Sequence, residues 1–210
     1  MEQFSQENYH RLCDDLGNKD PYLNRILDDY GYPPFWTRPN TFETLVLTIL
    51  EQQVSLASAY AAYKKLKELT GTIEPASHLL LTDEHLQSCY LSRQKIRYTR
   101  ELAQAIVSKQ INLEKLAGQP GEEVRLVLKK VKGIGDWTVD IYLIHVLQRT
   151  DIFPVGDLAL INAVKMIRNS PEMTKEEILN ISEPWKPYRS IATMMLWHYY
   201  IKKKNIKLLH

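Results

Sequence analysis

Lys132-Gly133-Ile134-Gly135 places two glycines one residue apart, behind a lysine, between two stretches of helical pattern. The chain has eight glycines in 210 residues, so the pair is a concentrated use of them. A tight Gly-x-Gly turn between two helices presents a row of backbone N–H groups at the start of the second helix. Those donors, with the helix dipole, suit a phosphate. Gly133 and Gly135 can take conformations closed to other residues, and they hold no side chain against an approaching backbone. Ile134 is placed to pack inward, Lys132 adds charge, and Thr138 adds a hydroxyl in the first helical turn. A plain helix–helix turn with a glycine C-cap reads equally well from these residues. Asp136 cuts against an anion site: it suits a helix cap, but its charge repels a phosphate unless it points away.

The second candidate is "IFPVGDLAL", residues 152–160. Pro154 ends one element, Gly156 permits a bend, and Asp157 stands before the apolar run Leu158, Leu160, Ile161, Val164. Asp157 reads first as an N-cap. Capping and chemistry coexist, because a carboxylate held by helix N–H groups stays ionised. Such a group suits stabilising a cation and does not suit general-acid work.

The elements that must position these residues all read as helices, since runs of alternating apolar and polar residues with hairpin turns are missing. Thr41 opens "TFETLVLTIL", with Leu45, Ile49 and Leu50 on one face. A pattern over 56–69 stops at Gly71. Residues 92–108 carry the stripe Ile96, Leu102, Ala103, Ile106 and Val107. A short helix over 122–131 leads into the glycine turn, and 136–148 is apolar almost all round, which predicts a buried central helix. Residues 157–167 follow, then a capping box at Thr174-x-x-Glu177, then Pro187 as first residue of a last long helix. The Pro-rich "GYPPFWTRPN", residues 31–40, is the clearest linker. It divides an N-terminal helical segment, 1–40, from a core, 41–210; short connections predict that the two form one compact unit.

Composition bounds the function. Apolar residues make up 44% of the chain, ordinary for a globular protein. No window approaches the ~20 apolar residues of a membrane span, and "MEQFSQENYH" is not a secretory signal. Cys13 and Cys89 are too few for a disulfide framework, so a reduced, cytoplasmic setting is expected. Net charge is +2, so any affinity for nucleic acid must come from local patches. Four exist: Lys129, Lys130 and Lys132; Arg93, Lys95, Arg97 and Arg100; Lys186 with Arg189; and Lys202 to Lys204 with Lys207. Each also reads as a solvated helix face.

"LKKVKGIGDWTVDIYLIHVLQRTDIFPVGDLAL" resembles the helix–hairpin–helix motif, Gly/Pro loop and Asp of the base-excision DNA glycosylases, in particular the alkylpurine branch of 3-methyladenine DNA glycosylase II type. In that family the Asp lies as far beyond the second hairpin glycine as Asp157 lies beyond Gly135, 22 positions. "FETLVLTILEQQVSLASAYAAYKKL" resembles the branch's helix, Gln-Gln loop and helix, and "WKPYRSIATMMLW" its C-terminal helix. The resemblance runs from about residue 20 to residue 199 and implies an all-α, two-lobed helical domain with a DNA-binding cleft between the lobes.

The resemblance also implies roles. Strand-cutting members carry a lysine two residues after the second hairpin glycine; here Trp137 stands there, so the Schiff-base nucleophile is missing. Iron–sulfur members need four clustered cysteines near the C-terminus, and none follows Cys89. The chain is also expected to lack the β-rich N-terminal domain of the longest alkylpurine enzymes. A monofunctional enzyme is implied, acting on double-stranded DNA with a damaged base, in which Asp157 stabilises an oxocarbenium-like sugar. Trp137 and Trp197 match aromatic positions lining the family's base pocket. Ile141 replaces a third aromatic, and neighbouring Tyr142 is shifted by about 100° around the helix, which reshapes the pocket. Gln53, with Gln52 beside it, lies in the loop that resembles the family's wedge. Lys132, Gly133, Ile134, Gly135, Thr138 and Arg189 are expected at the DNA, and the carbonyls of Lys129, Val131 and Ile134 would hold a bridging sodium or potassium ion. No catalytic metal or other cofactor is expected, since the six histidines show no metal-ligand spacing, and the protein is expected to be a monomer. The tryptophans also read as core packing and the glutamines as a polar loop. Two functions remain open beside alkylpurine excision: a glycosylase for oxidised or deaminated purines, and a non-catalytic DNA-binding module.

Overall fold

Apolar periodicity becomes helix throughout the computed structural model, which describes residues 3–207. Helices α1 (Tyr9–Lys19) and α2 (Pro21–Tyr30) precede the extended proline-containing stretch. Then come α3 (Phe42–Glu51), α4 (Leu56–Thr70), α5 (Pro75–Leu80), α6 (Asp83–Ser88), α7 (Arg93–Val107), α8 (Leu113–Ala117) and α9 (Gly121–Leu128). The series ends with α10 (Asp136–His145), α11 (Leu158–Ile167), α12 (Lys175–Ser182) and α13 (Arg189–Lys203), the last preceded by a single 3-10 turn, Glu183–Trp185. Among the described residues β-structure is limited to an isolated antiparallel bridge between Gln3 and Arg149.

Helix starts are set by side chains that replace the missing backbone acceptors. Thr41, Ser55, Ser92 and Asp157 each accept a backbone N–H from the first turn of the helix they precede. Thr174 and Glu177 form the expected reciprocal capping box. Three boundaries differ from expectation. Helix α9 ends at Leu128 and not at 131, because the last turn tightens: Lys130 and Val131 donate three residues back, to Val127 and Leu128. Helix α10 ends at His145 and not at 148, because Gln148 turns the chain in a left-handed conformation (φ 47°) and Arg149 N–H returns to Leu143. Pro187 lies ahead of α13 and does not open it; the N–H of Tyr188 is taken by Trp185, and the helix begins at Arg189.

The chain forms two compact units. One contains residues 3–37 and Leu143–Lys207. There α2 and α11 pack on α13, and α1 packs on α2. Residues 190–199 of α13 are buried without interruption, so this helix shows no apolar stripe and carries the unit's core on all sides. The other unit contains Arg38–Tyr142. There α7 packs against α3, α5 and α6, and α3 packs on α4. Leu45, Ile49, Leu50, Leu66, Leu86 and Leu102 are sealed from water in its core. The chain passes between units within α10, which is buried along 138–145, in line with its largely apolar sequence.

Candidate functional site

The glycine turn joins α9 to α10, and its two glycines answer different needs. Gly133 has φ +95°, and a Cβ there would lie 2.1 Å from the ring of Tyr98 on α7. The position therefore demands glycine twice over, for its backbone and for the aromatic ring that packs on it. At Gly135 a Cβ would meet nothing within 4 Å. Gly135 is exposed, and the first helical bond after it runs from Val139 N–H to its carbonyl, so it stands at the open N-terminal end of α10. Ile134 is buried as expected, at 4% exposure, and Lys132 is exposed beside the turn.

Asp136 is turned toward α9. Its carboxylate accepts two hydrogen bonds from Lys129 Nζ, at 2.8 and 2.9 Å, and one from Arg125 Nη1 at 3.0 Å. Lys129, then Arg125, hold its pKa below the usual carboxylate range. Arg125 reaches with its other nitrogen to Asp140, one turn further along α10. Burial raises the pKa of Asp140, with Arg125 opposing that effect. The network was missed in the sequence, yet it leaves a signal there: two cations four apart on one helix face two acids four apart on the next.

The Gln-Gln loop sits in the same unit. Gln52 Nε2 donates to the carbonyl of Gly133 and to the hydroxyl of Thr138, both at 2.9 Å. Gln52 is therefore a tether between the loop and the hairpin. Thr138, 1% exposed, is the tether's anchor, which corrects the expectation that its hydroxyl lies at a DNA surface; Gln52 is half-buried. Gln53 is different. It is exposed and held at φ 57°, a left-handed conformation unusual for a side-chain-bearing residue. Lys95 of α7 caps the C-terminal end of α3 through the carbonyl of Leu50, and burial lowers its pKa.

Asp157 belongs to the other unit, and the loop leading to it is pinned along its length. Ser190 N–H bonds the carbonyl of Thr150, Ser190 Oγ accepts from Ile152 N–H, and Phe153 packs edge-on against Trp185. A turn closed by Asp157 N–H on the Pro154 carbonyl, at 2.8 Å, delivers the carboxylate to the start of α11. Its Oδ1 accepts the N–H of Leu160 at 2.8 Å and the indole Nε1–H of Trp197 at 3.0 Å. The ring of Trp197 stacks on His145, centroids 5.3 Å apart and planes 14° from parallel. His145 Nδ1 lies 3.0 Å from the carbonyl of Trp36. His145 had no sequence signal, since nothing in one chain ties position 145 to position 197. Gly156 is not in the left-handed region, so the bend does not require glycine there.

Two further expectations are corrected. Tyr142 is 1% exposed and donates its hydroxyl to Asn40 Oδ1 at 2.6 Å, so it is a core residue and no pocket wall. Arg189 grips Asp151 with two nitrogens, at 2.6 and 3.0 Å, and Glu183 lies 3.6 Å away. Its charge is spent inside the protein. Trp137, in the first turn of α10, is half-buried. Among the described residues no three His, Cys, Asp or Glu side chains gather to hold a metal, and no helix is long and apolar enough to cross a membrane.

Known proteins share this scaffold. Residues 46–187 match the family described as HhH-GPD superfamily base excision DNA repair protein. A DNA-3-methyladenine glycosylase of Bacillus subtilis (strain 168) is 34% identical over 172 residues, which cover 76% of this chain and 57% of that protein. The chain thus spans little more than half the length of that relative. The DNA-3-methyladenine glycosylase of Saccharomyces cerevisiae is 28% identical over 236 residues, 91% of this chain and 80% of that one. A solved 3-methyladenine DNA glycosylase of Schizosaccharomyces pombe, in complex with abasic DNA, is similar in structure with a TM-score of 0.83 at 28% identity, covering 89% of this chain and 95% of its own. Both the glycine hairpin and the loop ending in Asp157 fall inside the matched residues, and the chain belongs to the HhH-GPD superfamily of base excision DNA repair proteins.

Proposed function

We propose that this protein is a monofunctional DNA glycosylase that removes alkylated purines from double-stranded DNA. The observation that carries the reading is the setting of Asp157: a carboxylate fixed by a helix N–H and an indole N–H, on a loop pinned at both ends. The names of the relatives point to the same chemistry.

A base stacked in a duplex is out of reach, so the nucleotide must be flipped out at a cost of roughly a few kcal/mol. Exposed Gln53 fills the gap left behind, and Gln52 fixes the loop that carries it to the hairpin. The backbone N–H groups around Gly135 and the charge of Lys132 hold a phosphate at the N-terminal end of α10. A purine alkylated at N3 or N7 is cationic. The indole face of Trp137 attracts it, by ~0.5–2 kcal/mol; Trp197, its ring already stacked on His145, turns its N–H to Asp157.

Such a base leaves readily. The C1′–N bond breaks with its electron pair going to the purine, which becomes neutral, and positive charge builds on the sugar. Asp157 stabilises that charge and directs a water to C1′; the proton lost by the water passes through Asp157 to bulk solvent. Contributions of this kind amount to ~10²–10⁴-fold in rate. With Trp137 where strand-cutting relatives carry lysine, no Schiff base forms and the product is an intact abasic strand. The carbonyls of Lys129, Val131 and Ile134 are uncharged hard oxygens, which fit a sodium or potassium ion better than a transition metal. Such an ion would supply positive charge opposite the phosphate.

The test is base release from duplexes carrying 3-methyladenine, 7-methylguanine, hypoxanthine or 8-oxoguanine, with Asp157→Asn as control. Release of the two methylated bases, lost in the variant, is expected. Equal rates for variant and parent, or release confined to hypoxanthine or 8-oxoguanine, would reject the reading.

A further inference from the structure

We propose that Asp136 limits the hairpin's affinity for duplex DNA by neutralising Lys129 at the phosphate-binding end of α10. The inference rests on the glycosylase reading above and deepens it.

Asp136 is the first residue of α10, one position after the glycine at its open end. A carboxylate there opposes a phosphate, and a lysine beside it favours one. Lys129 Nζ is held by both oxygens of Asp136, and Arg125 is shared between Asp136 and Asp140. The two acids have different surroundings. The Asp140 side chain is 12% exposed and the Asp136 side chain 63%. Removing a partner from a buried pair is costly, whereas an exposed pair adds little to stability. The brace between α9 and α10 is therefore Arg125 with Asp140. Asp136 contributes little to that brace, and its effect is on charge: it cancels Lys129, whose side chain is 42% exposed.

Loss of the carboxylate leaves Arg125 neutralised by Asp140 and frees one cation, Lys129. A freed lysine that reaches a phosphate displaces about one more counterion, so the log–log salt slope of binding steepens by ~0.9. An enzyme that must leave undamaged sites quickly gains from the cancellation, because affinity is then concentrated in contacts made with a flipped base.

The experiment is fluorescence anisotropy of the full chain with an undamaged duplex, titrated over a series of salt concentrations, alongside excision of 3-methyladenine by the parent. Asp136→Asn should tighten binding about fivefold at low salt, the order expected of one added ion contact, and steepen the slope by ~0.9. Asp136→Asn combined with Lys129→Gln should return to the parent's slope. Asp28→Asn, an equal change of net charge in the other unit, should leave the slope unmoved. Thermal melts of each variant near the parent's temperature establish that folding is intact. If the parent binds and excises but Asp136→Asn binds no tighter, or Asp28→Asn matches it, this inference fails alone. A parent that neither binds DNA nor releases a base overturns the glycosylase reading and this inference together.

Discussion

Trp197 donates its indole N–H to the same oxygen of Asp157 that caps α11, at 3.0 Å, so one atom serves as helix cap and as anchor for an aromatic ring. Position 157 caps the start of one helix and position 197 lies midway along another; the bond fixes the orientation of the carboxylate from two directions. His145, stacked on the far partner of that bond, fixes the indole in turn.

Asp157→Asn keeps an oxygen that can accept both bonds, so folding should be preserved while excision falls by ~10²–10⁴-fold. Asp157→Ala removes the cap as well and should cost ~0.5–2 kcal/mol of stability in denaturant titration. Trp197→Phe retains a ring against His145 and loses the donor. A hydrogen bond to a charged group is worth ~1.5–3 kcal/mol, so single-turnover excision should drop by about tenfold or more. An unchanged rate in Trp197→Phe would mean that the indole N–H does not hold the carboxylate in its working position.

The hairpin glycines should separate cleanly. Gly133→Ala forces a Cβ into the Tyr98 ring and a side chain onto a positive φ, and should lower stability by ~1–3 kcal/mol. Tyr98→Ala in the same chain should relieve the clash and leave the backbone cost. Gly135→Ala meets open space; it should melt like the parent and bind duplex DNA more weakly. Circular dichroism melts and anisotropy on the three proteins decide this.

The two glutamines are adjacent and should behave oppositely. Gln52→Ala strands the Gly133 carbonyl and the buried Thr138 hydroxyl, at ~1–3 kcal/mol. Gln53→Gly relieves a left-handed backbone and should stabilise by up to ~1 kcal/mol, yet slow base flipping followed by 2-aminopurine fluorescence. Normal flipping by Gln53→Gly would remove Gln53 from the wedge role.

A pH effect on stability is expected at His78. Burial, and then Arg100, push the pKa of His78 from 6.5 down to about 4. The imidazole contacts Thr99 at 2.9 Å and its Nδ1 is buried without a partner. The unfolded chain thus binds this proton more readily. The contribution is complete above about pH 6.5 and is lost as pH falls toward 4, on the order of 3 kcal/mol across the window. Urea titrations of parent and His78→Gln should diverge in slope against pH there; parallel curves would exclude His78 as the cause.

The sequence by itself determines the longer helices, several of their caps, the glycine hairpin and Asp157 as the cap of α11, because periodicity, capping chemistry and backbone freedom are properties of near neighbours; the short α5, α6 and α8 are too brief to show a period. Thr174 with Glu177 and Thr41 ahead of α3 are legible for that reason. Helix ends such as 128 and 145 were less so, since a last turn tightens or frays according to what packs beside it. Tertiary structure alone decided the partners across long separations: Tyr98 on Gly133, Gln52 on Thr138, Arg125 on Asp140, Trp197 on Asp157, Arg189 on Asp151. A charge, an amide or a ring looks the same in sequence whether it meets DNA or its own chain. Which of the two it meets depends on packing between residues that have no fixed spacing along the chain.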